Sequence, residues 1–392
     1  MTATLDRALR DSVHRRLLAS PFDPRAVSRD ALRAEIGRIL RDEAPLCPHD
    51  EARRLVDVLV DEVGGLGPLE RWLDDPTVTE IMVNGPGRAY VERAGRLEPI
   101  DLPVDGPTIA RLVDRVVAPL GLRLDHASPM VDARLPDGSR LHAVLPPLAP
   151  DGPCVTIRRF TVRDATLATF GVDAEAAVKL RALVRCGWNL LVAGATSAGK
   201  TTLCNTLAAS IEAGDRIVTI EETAELRLPQ PHVVRLEARP ANAEGVGAVG
   251  VRDLVRAALR MRPDRLVVGE VRGGEALDML QALNTGHDGS LSTIHANGPD
   301  EALARLETLA LLGGVALPLS AIRAQIGAAV DGVVQVRRTG DGTRVVTAVA
   351  EVDPTGTSTR PLLERRNDAL CACGAPARPA RRLALALREA WS

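Results

Sequence analysis

Lysine is almost missing from this chain. Of the 49 basic residues, two are lysine, Lys179 and Lys200, and the rest are arginine. Aromatic residues are nearly as scarce, at 2% of 392 positions: Phe22, Trp72, Tyr90, Phe160, Phe170, Trp188 and Trp391. That scarcity argues against single-strand nucleic-acid binding on stacking platforms. A net charge of −2 implies no polyanionic partner either. No apolar run reaches the ~18–20 residues of a membrane-spanning helix. The opening stretch MTATLDRALRDSVHRRLL lacks the apolar core of a signal peptide. The six cysteines (47, 154, 186, 204, 371 and 373) are scattered, the pattern of a reduced cytoplasmic protein and not of a disulfide scaffold. Cys371-Ala-Cys373 is the one close pair, and a lone CxC is weak ground for a metal clip.

What is present suits a globular chain of more than one domain, with 45% hydrophobic and 26% charged residues. Residues 1–62 are expected to be a helical segment. Leu32, Ile36, Ile39 and Leu40, then Leu55, Val56, Leu59 and Val60, recur at helical spacing. Breaks are expected near Pro21, Pro24, Pro45 and Pro48. Residues 63–160 read as a small α+β domain, with strands at 79–83, 88–92, 140–144 and 154–158 and a helix at 111–120. A linker, 161–174, follows. Over 175–352 short apolar strands (189–193, 216–220, 265–269, 290–295) alternate with helices (200–211, 251–261, 275–284). This is the pattern of an α/β fold with a mainly parallel sheet covered on both faces. Strands 331–337 and 343–351 close it, ahead of an Ala/Arg/Pro-rich tail, 353–392.

Gly194-Ala195-Thr196-Ser197-Ala198-Gly199-Lys200-Thr201 satisfies GxxxxGK[ST], between a strand and a helix as a phosphate loop requires. The glycines let successive N–H groups turn toward one phosphate, and the helix start adds partial positive charge. Lys200 reaches the β- and γ-phosphates as a compact ammonium, and the Thr201 hydroxyl suits Mg²⁺. Thr202 completes the nucleotide-binding set. The expected ligand is ATP with Mg²⁺.

Acids close two of the strands. Glu270 ends ArgLeuValValGly, where an acid faces Mg²⁺ or the attacking water. Glu221 and Glu222 follow IleValThrIle, at the strand end where parallel sheets build their sites. His287 and His295 lie in polar turns beyond the Glu270 strand and are candidates for sensing or relaying the phosphate.

These segments resemble the secretion ATPase superfamily: GlyAlaThrSerAlaGlyLysThrThr, ThrIleGluGluThrAlaGluLeu, MetArgProAspArgLeuValValGlyGluValArgGlyGlyGluAlaLeuAsp and AsnThrGlyHisAspGlySerLeuSerThrIleHisAlaAsn. The match is closest to the CpaF/TadA branch, which powers tight-adherence (Flp) pili. It spans about 65–352. The resemblance implies a RecA-like P-loop domain, a mobile N-terminal domain and a homo-hexameric ring. It makes Glu221 and Glu222 an aspartate box, with Glu221 the preferred member, Glu270 the catalytic glutamate and His287 with His295 the histidine box. It also implies phosphate-contacting arginines, with Arg134, Arg140, Arg158 and Arg159 in the similar segments. Integral membrane platform proteins would be the partners, with the chain cytoplasmic and peripheral at the inner membrane.

The expectation is therefore Mg²⁺-dependent ATP hydrolysis by a motor for pilus assembly or type II/IV secretion, with Thr201 and Glu270 toward the metal. A RecA-like nucleic-acid translocase and a nucleotide-binding scaffold that does not hydrolyse are the other readings. Net charge and the few aromatics weigh against the first, and Glu221 with Glu270 against the second.

Overall fold

The computed structural model describes residues 3–19, 29–93, 95–135, 137–159, 165–242 and 244–391. It divides into two compact units, Met1–Thr161 and Val162–Ser392.

The first unit opens with helices α1 (Ala3–Leu18), α2 (Arg29–Glu43) and α3 (His49–Gly64). Leu32, Ile36, Ile39 and Leu40 of α2 bury against Leu55, Leu59 and Val60 of α3, the stripes that the periodicity marks. Pro45 and Pro48 fall between these helices; Pro21 and Pro24 lie outside the described residues. A four-residue helix α4 (Glu70–Leu73) leads into β1 (Val78–Asn84), β2 (Ala89–Arg93), β3 (Arg96–Ile100), α5 (Gly106–Val117), β4 (Met130–Arg134), β5 (Arg140–Val144) and β6 (Cys154–Arg158). The strands form one antiparallel sheet in the order β3-β2-β1-β6-β5-β4. The sequence reading lacks β3 and β4, which are its two edges. Edge strands carry little apolar pattern. Helix α5 starts five residues before the predicted position, because the Asp105 carboxylate accepts from Thr108 N (2.8 Å) and Pro107 suits the first turn.

The second unit runs α6 (Ala174–Arg185), β7 (Leu190–Gly194), α7 (Lys200–Ala208), β8 (Ile217–Glu221), β9 (Val233–Glu237), α8 (Val251–Ala258), β10 (Arg265–Val271), α9 (Glu275–Leu283), β11 (Leu291–His295), α10 (Pro299–Leu311), α11 (Leu319–Ala329), β12 (Gly332–Arg338), β13 (Arg344–Val352), β14 (Thr359–Arg366), β15 (Ala369–Ala372) and α12 (Ala384–Trp391). Its sheet is ordered β15-β14-β13-β12-β7-β11-β10-β8-β9. From β12 to β9 the pairs are parallel; from β12 to β15 they are antiparallel. The fold is α/β. Strands β7 and β8 are buried at every position, which is why they read as continuous apolar runs. Separate apolar clusters fill the two faces, one around Trp188 and Phe170, the other around Leu280 and Leu306. Among the described residues no helix is long and apolar enough to cross a membrane.

The segment expected as a tail carries β14, β15 and α12. Its arginines are strapped to the sheet. Arg378 Nη1 and Arg381 Nη2 each lie 3.0 Å from Asp331 Oδ1, and Asp331 Oδ2 accepts from Asn189 N at 2.9 Å. Asp331 is 2% exposed. Removing one partner of such a buried cluster leaves an uncompensated charge, so Asp331→Ala should cost about 3–5 kcal/mol. Thermal melting and limited proteolysis should show a lower midpoint and early cleavage after residue 352. Unchanged proteolysis would sink this account of the strap. Lys179 also belongs to the packing: its ammonium sits 5.6 Å from the Trp391 ring and pairs with Glu175.

Candidate active site

Register gathers the candidate residues at one edge. The last residue of β11, His295, is level with Gly194 of β7, and β10 and β8 lie alongside. Four parallel strands therefore deliver Gly194, His295, Glu270 and Glu221 at their carboxyl ends, where open α/β sheets form sites.

The loop between β7 and α7 has the backbone that a phosphate cradle needs. Ser197 (φ 59°) and Gly199 (φ 92°) are left-handed. A Cβ at 199 would lie 2.7 Å from Arg344 Cδ, and one at 194 would lie 2.5 Å from Val336 O. Only glycine fits either position. Ala195, Thr196 and Ser197 are exposed, Ala198 is buried, and Thr201 and Thr202 are half-buried at the start of α7. Lys200 is 7% exposed, with Nζ 3.1 Å from both Ala195 O and His295 Nε2.

Beyond Lys200 the contacts form a chain. His295 Nε2 lies 2.5 Å from Glu270 Oε1. Arg272 Nη2 donates to Glu270 Oε2 at 2.7 Å, and its Nη1 donates to Glu222 Oε2, also at 2.7 Å. Burial and the nearby Lys200 charge lower the His295 pKa, which favours neutral imidazole. His287 stands apart. Its Nδ1 is 2.8 Å from Ala282 O, and its carbonyl accepts from Ser290 Oγ.

The two box glutamates exchange the access that the sequence reading gives them. Glu221, the preferred one, is 3% exposed. Its Oε1 accepts from Glu225 N (2.9 Å) and Leu226 N (3.0 Å), and it packs against Gly269, where a Cβ would lie 2.7 Å from its Cγ. It holds the turn after β8. Glu222 is the one joined, through Arg272, to Glu270. Successive strand residues point to opposite sides, and the sheet interior took Glu221.

Burial pushes the Glu221 carboxyl up to about 7 from an ordinary 4.5. The folded chain therefore holds this proton more tightly than the unfolded chain. The resulting stability is complete below pH 4.5 and is lost as pH rises to about 7. Glu221→Gln should remove that slope. Relative to wild type, its stability should rise by on the order of 3 kcal/mol between pH 4.5 and pH 8. Parallel denaturation curves at both pH values would refute this.

In the first unit, Arg134 pairs with Arg140 in register, and Arg140 with Arg158. Three guanidinium groups thus share one face of β4, β5 and β6. On the same face Glu80 of β1 lies directly opposite Arg158, so the row meets a carboxylate at that end. Arg159 is not among them: its Nη1 donates to the backbone carbonyls of Asp75 and Val78, the latter at 3.0 Å.

Two residues near the loop escaped the sequence reading. Arg272 directly follows β10, two residues after Glu270, and turns back to reach its carboxylate; no strand period marks it in the sequence. Arg344 reaches the loop from β13, with Nε 3.4 Å from Ser197 O, and nothing in the sequence marks it.

Residues 62–360 match the model of the family described as Type II/IV secretion system protein. A Mycobacterium tuberculosis protein, provisionally named a conjugal transfer protein, is 43% identical over 304 residues, covering 75% of this chain and 86% of the relative. Protein VirB11 of Agrobacterium fabrum is 32% identical over 308 residues, covering 70% and 89%. The X-ray structure of the Legionella pneumophila ATPase DotB shares the fold (TM-score 0.52, 20% identity, 73% of this chain and 79% of that one). With the family model covering the P-loop unit and the strands before it, the chain belongs to the type II/IV secretion system protein family and is an ATPase of it.

Proposed function

We propose that this chain is a Mg²⁺-dependent motor ATPase of the CpaF/TadA type, working as a homo-hexameric ring. It would lie in the cytoplasm at the inner face of the membrane and drive membrane platform proteins of a Tad/Flp pilus or a type II/IV secretion apparatus. One observation carries the reading: Lys200, His295, Glu270, Arg272 and Glu222 form an unbroken chain of contacts from the phosphate loop to the acidic strand ends. Lys200 and the loop N–H groups would bind the phosphates. Glu270 would orient the attacking water and take its proton, with His295 between it and Lys200. Thr201 and Glu270 would hold Mg²⁺. Among the described residues no three His, Cys, Asp or Glu side chains cluster as metal ligands. Mg²⁺ suits such a site, because substrate phosphates and water supply most of its coordination. When bound, the ion would neutralise charge on the β- and γ-phosphates. The row Arg134, Arg140 and Arg158 is the first unit's candidate phosphate contact in a ring.

The test is steady-state phosphate release by the full chain with Mg²⁺ and with EDTA, together with its mass in solution with ATP. Hydrolysis that survives EDTA, or a monomer at every nucleotide concentration, would overturn the respective parts. Co-purification with a polytopic membrane protein would support the motor role. DNA-stimulated, salt-sensitive hydrolysis would replace it with a translocase.

A further inference from the structure

We propose that Arg272 is the positioning residue for Glu270, fixing that carboxylate by a bridge to Glu222. The inference rests on Glu270 acting on the attacking water. A planar guanidinium offers separate nitrogens at fixed angles, and Arg272 uses one on each carboxylate, at 2.7 Å in both cases. The bridge joins the end of β10 to the residue after β8. Arg272 holds Glu270 through Oε2, while Oε1 lies 2.5 Å from His295 Nε2 and has no hydrogen-bond partner among the described residues. Each oxygen keeps a further lone pair for a water.

The backbone under Arg272 is held independently of this bridge. Glu275 Oε1 accepts from Arg272 N (2.6 Å) and from Gly273 N (2.7 Å). Gly274 packs where a Cβ would lie 2.9 Å from both Gly313 Cα and Leu312 O. The turn therefore presents the arginine in one place. The side chains of Arg272 and Glu222 are 54% and 61% exposed. Ion pairs with that exposure add little to folding. The bridge is accordingly expected to register in turnover, with the melting temperature unmoved.

Lysine keeps the charge but cannot serve two carboxylates at once, so it separates charge from geometry. ATP turnover of the full chain is compared for wild type, Glu270→Gln, Arg272→Gln, Arg272→Lys, Glu222→Ala and the Glu222→Ala/Arg272→Gln double variant. Arg272→Gln should lower kcat about 100-fold with ATP KM within about threefold, as for a misplaced reacting group. Arg272→Lys should recover roughly tenfold of that loss, and Glu222→Ala, which removes the acceptor altogether, should alone lower kcat roughly tenfold. The double variant should be no worse than Arg272→Gln, because both substitutions break one bridge.

Three results would overturn the proposal: wild-type kcat in Arg272→Gln, a raised KM with kcat intact, or losses that multiply in the double variant. The second would mean that Arg272 touches phosphate. An active Glu270→Gln enzyme would instead remove the role of Glu270, a different failure. Should Arg272→Gln not fold, Glu222→Ala with wild-type kcat overturns the bridge by itself.

Discussion

Lys200→Ala should abolish ATP hydrolysis, lowering kcat/KM by on the order of 10³-fold, as removal of a preorganised charge at a reacting centre does. The ammonium is nearly buried and touches the loop carbonyl of Ala195 and the imidazole of His295. A γ-phosphate entering the loop would take it as a point charge. Lys200→Arg should be almost as severe. The guanidinium is wider and planar, and the surrounding loop is closed by Gly199 against Arg344 and by Gly194 against β12. Lys179→Arg is the control. Its site is an ion pair with Glu175 beside the Trp391 ring, a role that arginine fills equally well. Turnover within about twofold of wild type is expected there, since the contact lies outside the loop. Retention of a tenth or more of the wild-type rate by Lys200→Arg would refute the argument.

That contrast explains how much of the site was legible. A chain that uses arginine for nearly every cation keeps lysine where shape matters, so position 200 stood out. Glu270 and His295 were readable because apolar parallel strands end in polar residues at one edge of the sheet. Residues placed by register were not readable. Arg134, Arg140 and Arg158 become neighbours only once β4, β5 and β6 are aligned. Glu221 and Glu222 are adjacent in sequence, and only packing decides which is swallowed.

The fold divides in the same way. Interior strands were found; β3, β4, β9 and β15, the sheet edges, were not, nor was β14 beside one of them. In β14, ThrArgProLeuLeuGluArgArg, the buried apolar residues are the adjacent pair Leu362 and Leu363. Such a segment has neither the run of a core strand nor clean alternation. The arginines that made 353–392 look like a tail are the ones that pin it, through Asp331, Asp288 and Asp215.

Glu270→Gln separates binding from chemistry. The two side chains have the same shape, and the Gln carbonyl oxygen can still accept from Arg272 Nη2, now 2.7 Å from Oε2. What disappears is the negative charge and the capacity to take a proton from water. General-base contributions are typically 10²–10⁴-fold, so kcat should fall by roughly 10³. Binding of ATP should persist, because Lys200 and the loop backbone are untouched. Removing the carboxylate charge near the γ-phosphate should, if anything, tighten it. The measurement is single-turnover hydrolysis alongside equilibrium binding of a fluorescent ATP analogue. A variant that binds normally and holds uncleaved nucleotide places Glu270 at the chemical step. A variant that loses binding and turnover together would make Glu270 a structural partner of Arg272 and His295, and the water would need another base. Glu222 is the acid best placed to provide it, since Arg272 already joins the two carboxylates. Glu222→Gln in the Glu270→Gln background tests that substitution of roles: any residual turnover should vanish if Glu222 had taken over, and stay constant if Glu270 were the sole base.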